Sequence, residues 1–108
     1  MDSQENFHDI AAALHRSYEL VPCYESIESI DELRHALAER ITHLLATQPE
    51  KLMNILYRFD VNEEKIHEVF TTVFPFDIPL KVADLIIERQ YQKLLTSRLY
   101  SSGKQDFW

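Results

Sequence analysis

Apolar residues recur at intervals of three and four between residues 29 and 101, with polar residues at most positions between them. This spacing places the apolar side chains on one side of a helix, so the region predicts consecutive helices that each bury one face. The connections between them are short, which favours antiparallel neighbours. The pattern therefore predicts an all-α fold: a compact bundle of four to five short helices that ends in a long C-terminal helix.

Capping signals mark where these helices begin. Ser29 and Thr47 each precede a glutamate by three residues, the spacing of a capping box, and Asn62 precedes two glutamates that suit the positive end of a helix. Pro49 fits a first helical turn, and Asp77 is predicted to cap the last helix. The predicted helices run over residues 29–47, 49–59, 63–74 and 79–101, with inward residues Ile30, Leu33, Leu37, Ile41, Leu44, Leu52, Ile55, Leu56, Phe59, Ile66, Val69, Phe70 and Val73.

The N-terminal part predicts a further helix from about Gln4 to Ser17, followed by a linker over residues 18–27 whose apolar side chains pack on the bundle. Residues 1–101 are then expected to form a single helical domain. Within it, residues 1–28 are the N-terminal helix and linker, and residues 29–101 are a four-helix core. Residues 102–108 are expected to be a flexible tail.

The last predicted helix is apolar nearly all round in its first half. Its two apolar faces consist of Leu80, Ala83, Ile86, Ile87 and Leu94 on one side and of Val82 and Leu85 on the other. Both faces need cover. Either the first helix of the same chain packs on the second face, or a second copy of the chain covers it in a homodimer.

Composition limits the chemistry that the chain can support. Among its 108 residues are one glycine, Gly103, and one cysteine, Cys23. The lack of internal glycine disfavours left-handed turns, phosphate-binding loops and nucleophile elbows, and a lone cysteine excludes an intrachain disulfide and indicates a reducing compartment. The acidic N-terminus and the absence of a long apolar run give no sign of a signal peptide or a membrane span, so we expect a cytoplasmic protein without membrane contact.

Three Glu-x-x-His pairs raise the question of a metal site, because such pairs point inward in di-metal helical bundles. They are Glu5/His8, Glu32/His35 and Glu64/His67. Helical spacing places the second and third pairs away from the apolar stripes, on outer faces. His35, Glu39 and His43, which are spaced by four residues on one helix face, could hold a surface metal, but only weakly without a further helix-borne ligand. We therefore predict no metal, no cofactor and no catalytic residue, with a weak metal-binding bundle as an alternative.

The net charge of −7 is distributed unevenly. Residues 1–80 carry six Lys and Arg against fifteen Asp and Glu, whereas residues 81–108 carry five against three. The last helix is thus mildly basic, and Arg89, Lys93 and Arg98 are candidate partner-binding residues on it. The same basic helix gives the alternative of a nucleic-acid-associated protein, although the acidic body disfavours nucleic acid as a partner.

Two segments resemble a family of small bacterial proteins of the Bacteroidetes group. They are YRFDVNEEK, from Tyr57 to Lys65, and ADLIIERQ, from Ala83 to Gln90, which match the YRxDVxExK and ADLIIERQ segments of that family. The resemblance covers about residues 31–98 and includes the last residue, Trp108. It implies an all-helical bacterial cytosolic protein and supplies no catalytic residue.

These features predict a non-catalytic protein that acts through protein–protein contact, either with itself or with a partner. Besides the basic last helix, Phe107 and Trp108 are candidate anchors. Two aromatic rings at the end of a polar tail can bury much area for little lost entropy. The alternative is that both rings fold back onto the bundle.

Overall fold

The structure is a computed structural model that describes residues 3–21 and 24–99. Over these residues the chain forms five α-helices and two 3₁₀ turns, and no β-strand. The helices are α1 (Ser3–Tyr18), α2 (Ile30–Thr47), α3 (Pro49–Arg58), α4 (Glu63–Thr72) and α5 (Ile78–Leu99), and the 3₁₀ turns span Tyr24–Ser26 and Pro75–Asp77. The predicted all-α bundle with a long C-terminal helix is confirmed.

Two of the four predicted N-caps, Ser29 and Asn62, are present. The Ser29 hydroxyl accepts a hydrogen bond from the backbone N–H of residue 32 at 3.1 Å, and the Asn62 side chain accepts from the N–H groups of residues 64 and 65 at 2.8 and 3.2 Å. The Thr47 cap was a wrong prediction. Thr47 is the last residue of α2 and donates its hydroxyl to the His43 carbonyl at 2.8 Å, whereas Gln48 is the cap residue of α3 without a side-chain bond. An N-cap needs non-helical backbone, which Thr47 does not have.

The connection between α4 and α5 also differs from the prediction. α4 ends at Thr72 rather than near residue 74, because Val73 and Phe74 have ψ angles of 143° and 141°. The ring of Pro75 disfavours helical backbone at the preceding residue. Asp77 does not cap α5; it ends the 3₁₀ turn, and its backbone N–H donates to the Phe74 carbonyl at 2.9 Å.

The core forms where α5 packs against α1, α2 and α4, most extensively against α2. The largest fully buried side chains are Leu14, Leu20, Val21, Leu33, Leu37, Ile41, Leu44, Leu52, Ile55, Leu56, Ile86 and Gln90. The linker after α1 contributes to this core through Leu20 and Val21, as predicted for a packed segment. Two predicted inward residues are exposed: Ile30, at 45%, is the first residue of α2, and Phe70, at 36%, lies at the edge of the α4 stripe.

The second apolar face of α5 is covered to a large extent within the single chain. Val82 is fully buried, and Leu85 is half-buried beside Val61 in the connection between α3 and α4. The first helix lies further along α5, where Ile10 and Leu94 line the same shallow depression. Leu85 therefore lies on the same groove as the segment that leads into α4, while α1 meets α5 near Leu94.

An ion pair between Arg34 and Asp84 joins α2 to α5 across the bundle. Arg34 donates from Nε to Oδ1 of Asp84 at 2.6 Å and from Nη2 to Oδ2 at 3.1 Å. This bidentate geometry, together with the negative charges of Asp84 and Asp31, raises the pKa of Arg34 above its usual value. The pair fixes the register of the two helices that share the largest contact.

Among the residues that the structure describes, two that are not glycine have left-handed backbone. Glu19 follows α1 with φ of 53°, and Asp60 follows α3 with φ of 64°. At Asp60 the two backbone bonds of a Schellman motif are present, from the Asp60 N–H to the Tyr57 carbonyl and from the Val61 N–H to the Leu56 carbonyl, at 3.0 and 3.2 Å. The scarcity of glycine therefore does not prevent left-handed helix ends in this chain.

These two positions give a matched pair of substitutions. We expect Glu19→Gly to raise the free energy of unfolding by about 1 kcal/mol, because glycine adopts left-handed backbone without the steric cost of a Cβ. Asp60→Gly should gain less, since Asp60 also bonds Arg89 through its carboxylate. Urea denaturation measures both, and a less stable Glu19→Gly protein would contradict the expectation.

Gln90 is the only polar side chain in the core of the described residues, at 1% exposure. Neither its amide nitrogen nor its amide oxygen has a hydrogen-bond partner there. A buried polar group without a partner costs about 1–3 kcal/mol. This buried amide therefore lowers the free energy of unfolding at a position on α5 that lies one turn after the fully buried Ile86.

Replacing this amide should stabilise the fold. We expect Gln90→Leu to raise the free energy of unfolding by about 1–3 kcal/mol, because leucine has a similar volume and no polar atom to desolvate. Gln92→Leu is the control, since Gln92 is exposed and accepts a hydrogen bond from Arg89. A destabilised Gln90→Leu protein with an unaffected control would show that the amide is satisfied in solution.

Candidate functional site

Exposed apolar side chains gather between α3 and α4. Met53, Tyr57 and Phe70 are 46%, 73% and 36% exposed, and with Glu63, Ile66 and His67 they line a groove of about 380 Å³. We call this the α3–α4 groove. It is lined mainly by apolar and aromatic side chains, in contrast to the charged surface around it.

The position of the groove follows from the buried residues of α3 and α4. Leu52, Leu56 and Ile55 point into the core, and Met53 and Tyr57, which are four residues apart, lie next to that stripe on one shoulder of α3. Phe70 occupies the corresponding shoulder of α4. Each helix thus has a wider apolar stripe than the core uses, and the unused parts face one another.

Tyr57 connects this groove to two others at the C-terminal end of α3. A groove of about 430 Å³, which we call the basic groove, is lined by Tyr57, Arg58, Asp60, Arg89, Lys93 and Thr96. A larger groove of about 850 Å³ runs between α5 and the start of α4 and is lined by Tyr57, residues 60–65, Leu85, Glu88, Arg89 and Gln92. Tyr57 therefore lines all three grooves at this end of the bundle.

Arg89, a predicted partner-binding residue, is engaged within the fold. Its Nε donates to the Asp60 carbonyl at 3.1 Å, its Nη2 donates to the Asp60 carboxylate at 3.0 Å, and its Nη1 donates to Gln92 at 3.2 Å. Arg89 thus holds the left-handed residue after α3 against α5. This contact joins α5 to the turn between α3 and α4, beside the groove that they form.

Lys93, the second predicted residue, is half-buried in the basic groove. Burial lowers the pKa of its ammonium group, the positive charge of Arg89 lowers it further, and Asp60 partly offsets both effects.

The third residue, Arg98, lies at the end of α5, where the structure describes the backbone but not the side chain. Phe107 and Trp108 lie outside the described residues.

The outer surface of α4 is acidic. Glu63, Glu64 and Glu68 are exposed, and none of them forms an ion pair with another described residue. We call them the acidic rim, since Glu63 lines the α3–α4 groove and all three border the neighbouring surface with His67. Lys65 on the same helix is paired with Glu88 of α5 at 3.1 Å and leaves the rim negative.

The residues considered for metal binding are dispersed. His35 is exposed, and its Nδ1 lies 2.8 Å from the Asp31 carbonyl, while His43 and His67 are exposed elsewhere on α2 and α4. Over residues 3–21 and 24–99 no three His, Cys, Asp or Glu side chains are grouped as metal ligands would be. In the same residues no helix has the length and apolar character needed to cross a membrane.

Sequence reasoning missed the α3–α4 groove. Phe70 was assigned to the buried stripe, and Met53 and Tyr57 were not singled out. A signal was present, because both lie one position after a buried residue and four residues apart, which widens the apolar stripe of α3. The spacing alone does not show whether that extra width faces a neighbouring helix or solvent.

The environment of Lys93 predicts an effect on stability that depends on pH. Its folded pKa lies below the usual 10.5, so between the two values the unfolded chain binds more protons, and stability rises with pH there. We expect Lys93→Met to be more stable than the wild type at pH 7 and to lose that advantage as the pH approaches 10.5. Lys81→Met, at an exposed site on α5, should change stability little; equal effects of both substitutions would refute the assignment.

Comparison with protein-family models, with curated proteins and with solved structures gave no match for this chain. The resemblance to a bacterial family over residues 31–98 therefore remains a prediction. Function is inferred from the α3–α4 groove, the basic groove and the acidic rim.

Proposed function

We propose that the chain is a non-catalytic protein-binding module and that the α3–α4 groove is its docking surface. The observation that carries this proposal is the exposure of Met53, Tyr57 and Phe70 around one concave apolar surface. Tyrosine, phenylalanine and methionine are enriched in protein interfaces, and Tyr57 is exposed enough to act as a central anchor.

The surroundings of the groove support binding rather than chemistry at this place. The groove lies between two helices whose connecting turn is bonded to α5 through Arg89 and Asp60. A preformed surface loses little entropy when a partner docks. Its titratable side chains are Glu63, His67 and the phenol of Tyr57, all exposed to solvent and set among apolar groups. Such a surface suits an apolar ligand.

The proposal predicts that the groove residues are dispensable for folding. We expect Phe70→Ser to lower the free energy of unfolding by about 1–2 kcal/mol, because roughly a third of this residue is already in water. Phe59→Ser is the matched control, since Phe59 is buried at the end of α3 and its loss should cost about 3 kcal/mol or more. A large loss for Phe70→Ser, measured by thermal and urea unfolding, would mean that this ring belongs to the core.

A photo-crosslinking amino acid at position 57 tests the function itself. We expect benzoylphenylalanine at Tyr57 to give a discrete protein adduct in cells of the source organism, and we expect Met53→Ser with Phe70→Ser to abolish that adduct in a folded chain. Benzoylphenylalanine at Tyr91, a partly exposed tyrosine on α5 that lines none of the three grooves, is the control. The same adducts from both positions, or none from position 57, would count against the docking surface.

A further inference from the structure

We infer that the partner in the α3–α4 groove is a short amphipathic helix of another polypeptide with lysine or arginine along one flank. This inference rests on the proposed function and adds the chemistry of the partner to it. It depends on two features of the groove, its backbone and its charge.

The backbone around the groove favours a helical ligand. The walls are α-helices, whose N–H and C=O groups are bonded within each helix apart from the ends, so they present no sheet edge to an extended peptide. A ligand on an apolar surface of this kind must satisfy its own backbone, and a helix does so. The lining residues run from Met53 to Tyr57 on α3 and from Glu63 to Phe70 on α4, about 6 and 10 Å along the two helix axes, which matches about two turns of a partner helix.

The spacing of the anchors fits the same ligand. Met53 and Tyr57 are separated by one helical turn on α3, and Phe70 faces them from α4. A partner helix that lies along this groove would place apolar residues at positions i, i+3 or i+4, and i+7 against these three side chains. The polar residues next to that stripe would then pass over the outer surface of α4.

Charge decides what those polar residues are. Glu63, Glu64 and Glu68 form a rim of three carboxylates without ion-pair partners among the described residues. Arg58 and Lys93 lie at the Tyr57 end, in the basic groove on the side of α5, and do not neutralise the rim. Lysine or arginine on the flank that covers α4 therefore complements the surface. A second copy of the chain would bring a further net charge of −7, which disfavours self-association as the occupant.

Two synthetic peptides test this inference. Both are helical, with leucines at i, i+4 and i+7, and they differ only in having lysines or glutamates along one flank. We expect the lysine peptide to bind about tenfold more tightly at low salt, because two or three exposed ion pairs add modest attraction where the glutamate peptide is repelled. Titration followed by NMR should shift the Met53 methyl signal first, and added salt should reduce the preference.

Matched variants identify the source of the preference. Glu64→Gln with Glu68→Gln should remove most of the difference between the two peptides, whereas Glu39→Gln, at an exposed site on α2, should leave it intact. Equal affinities, signal changes away from the groove, or no binding of the lysine peptide would overturn the inference. The inference would also be overturned if sedimentation shows a dimer of the chain that Tyr57→Ser dissociates. If neither peptide binds but the crosslinked adduct at position 57 is still formed, the groove remains the proposed docking surface, and only the inference of a basic helical partner is refuted.

Discussion

The structure depends on covering α5, a helix that is apolar around most of its first half. Ile78, Val82, Ala83, Ile86 and Ile87 are all buried, and at about 100° per residue their side chains span roughly half of the helix circumference. No single neighbour can bury such a helix, because helix packing covers one stripe of each partner. Three helices, α2, α4 and α1, pack against α5, and the contact with α2 is the most extensive. The placement of the remaining helices follows from this requirement.

Two arginine–aspartate contacts then fix how the surrounding helices sit on α5. Arg34 joins α2 to Asp84 through two short bonds, and Arg89 of α5 holds Asp60 between α3 and α4. Both are partly exposed, so their contribution to the free energy of unfolding is modest, but their geometry is specific. The second contact also explains why a basic residue that looks available in the sequence is committed to the fold.

Features that depend on a few neighbouring residues could be predicted from the sequence. The caps at Ser29 and Asn62 and the buried stripes follow from spacing within one or two turns, and the fold class follows from those stripes. Thr47 failed as a cap because a capping signal does not show whether the preceding helix has already ended. Tyr57 and Phe70 could not be placed from sequence alone, since the exposure of a helix shoulder depends on where the neighbouring helices lie. The partner of Arg89 is likewise 29 residues away in the chain.

The left-handed residue at position 60 has a consequence for how sequences of this kind can diverge. Asp60 carries two roles at once: it tolerates positive φ, as few side chains do, and it binds Arg89 with both its carboxylate and its carbonyl. Substitution in descendants of this chain should therefore be confined at position 60 to aspartate, asparagine and glycine. The carbonyl remains in all three, so arginine at position 89 would persist even where the carboxylate is lost. Position 60 would then vary among these three residues, while position 89 would stay arginine.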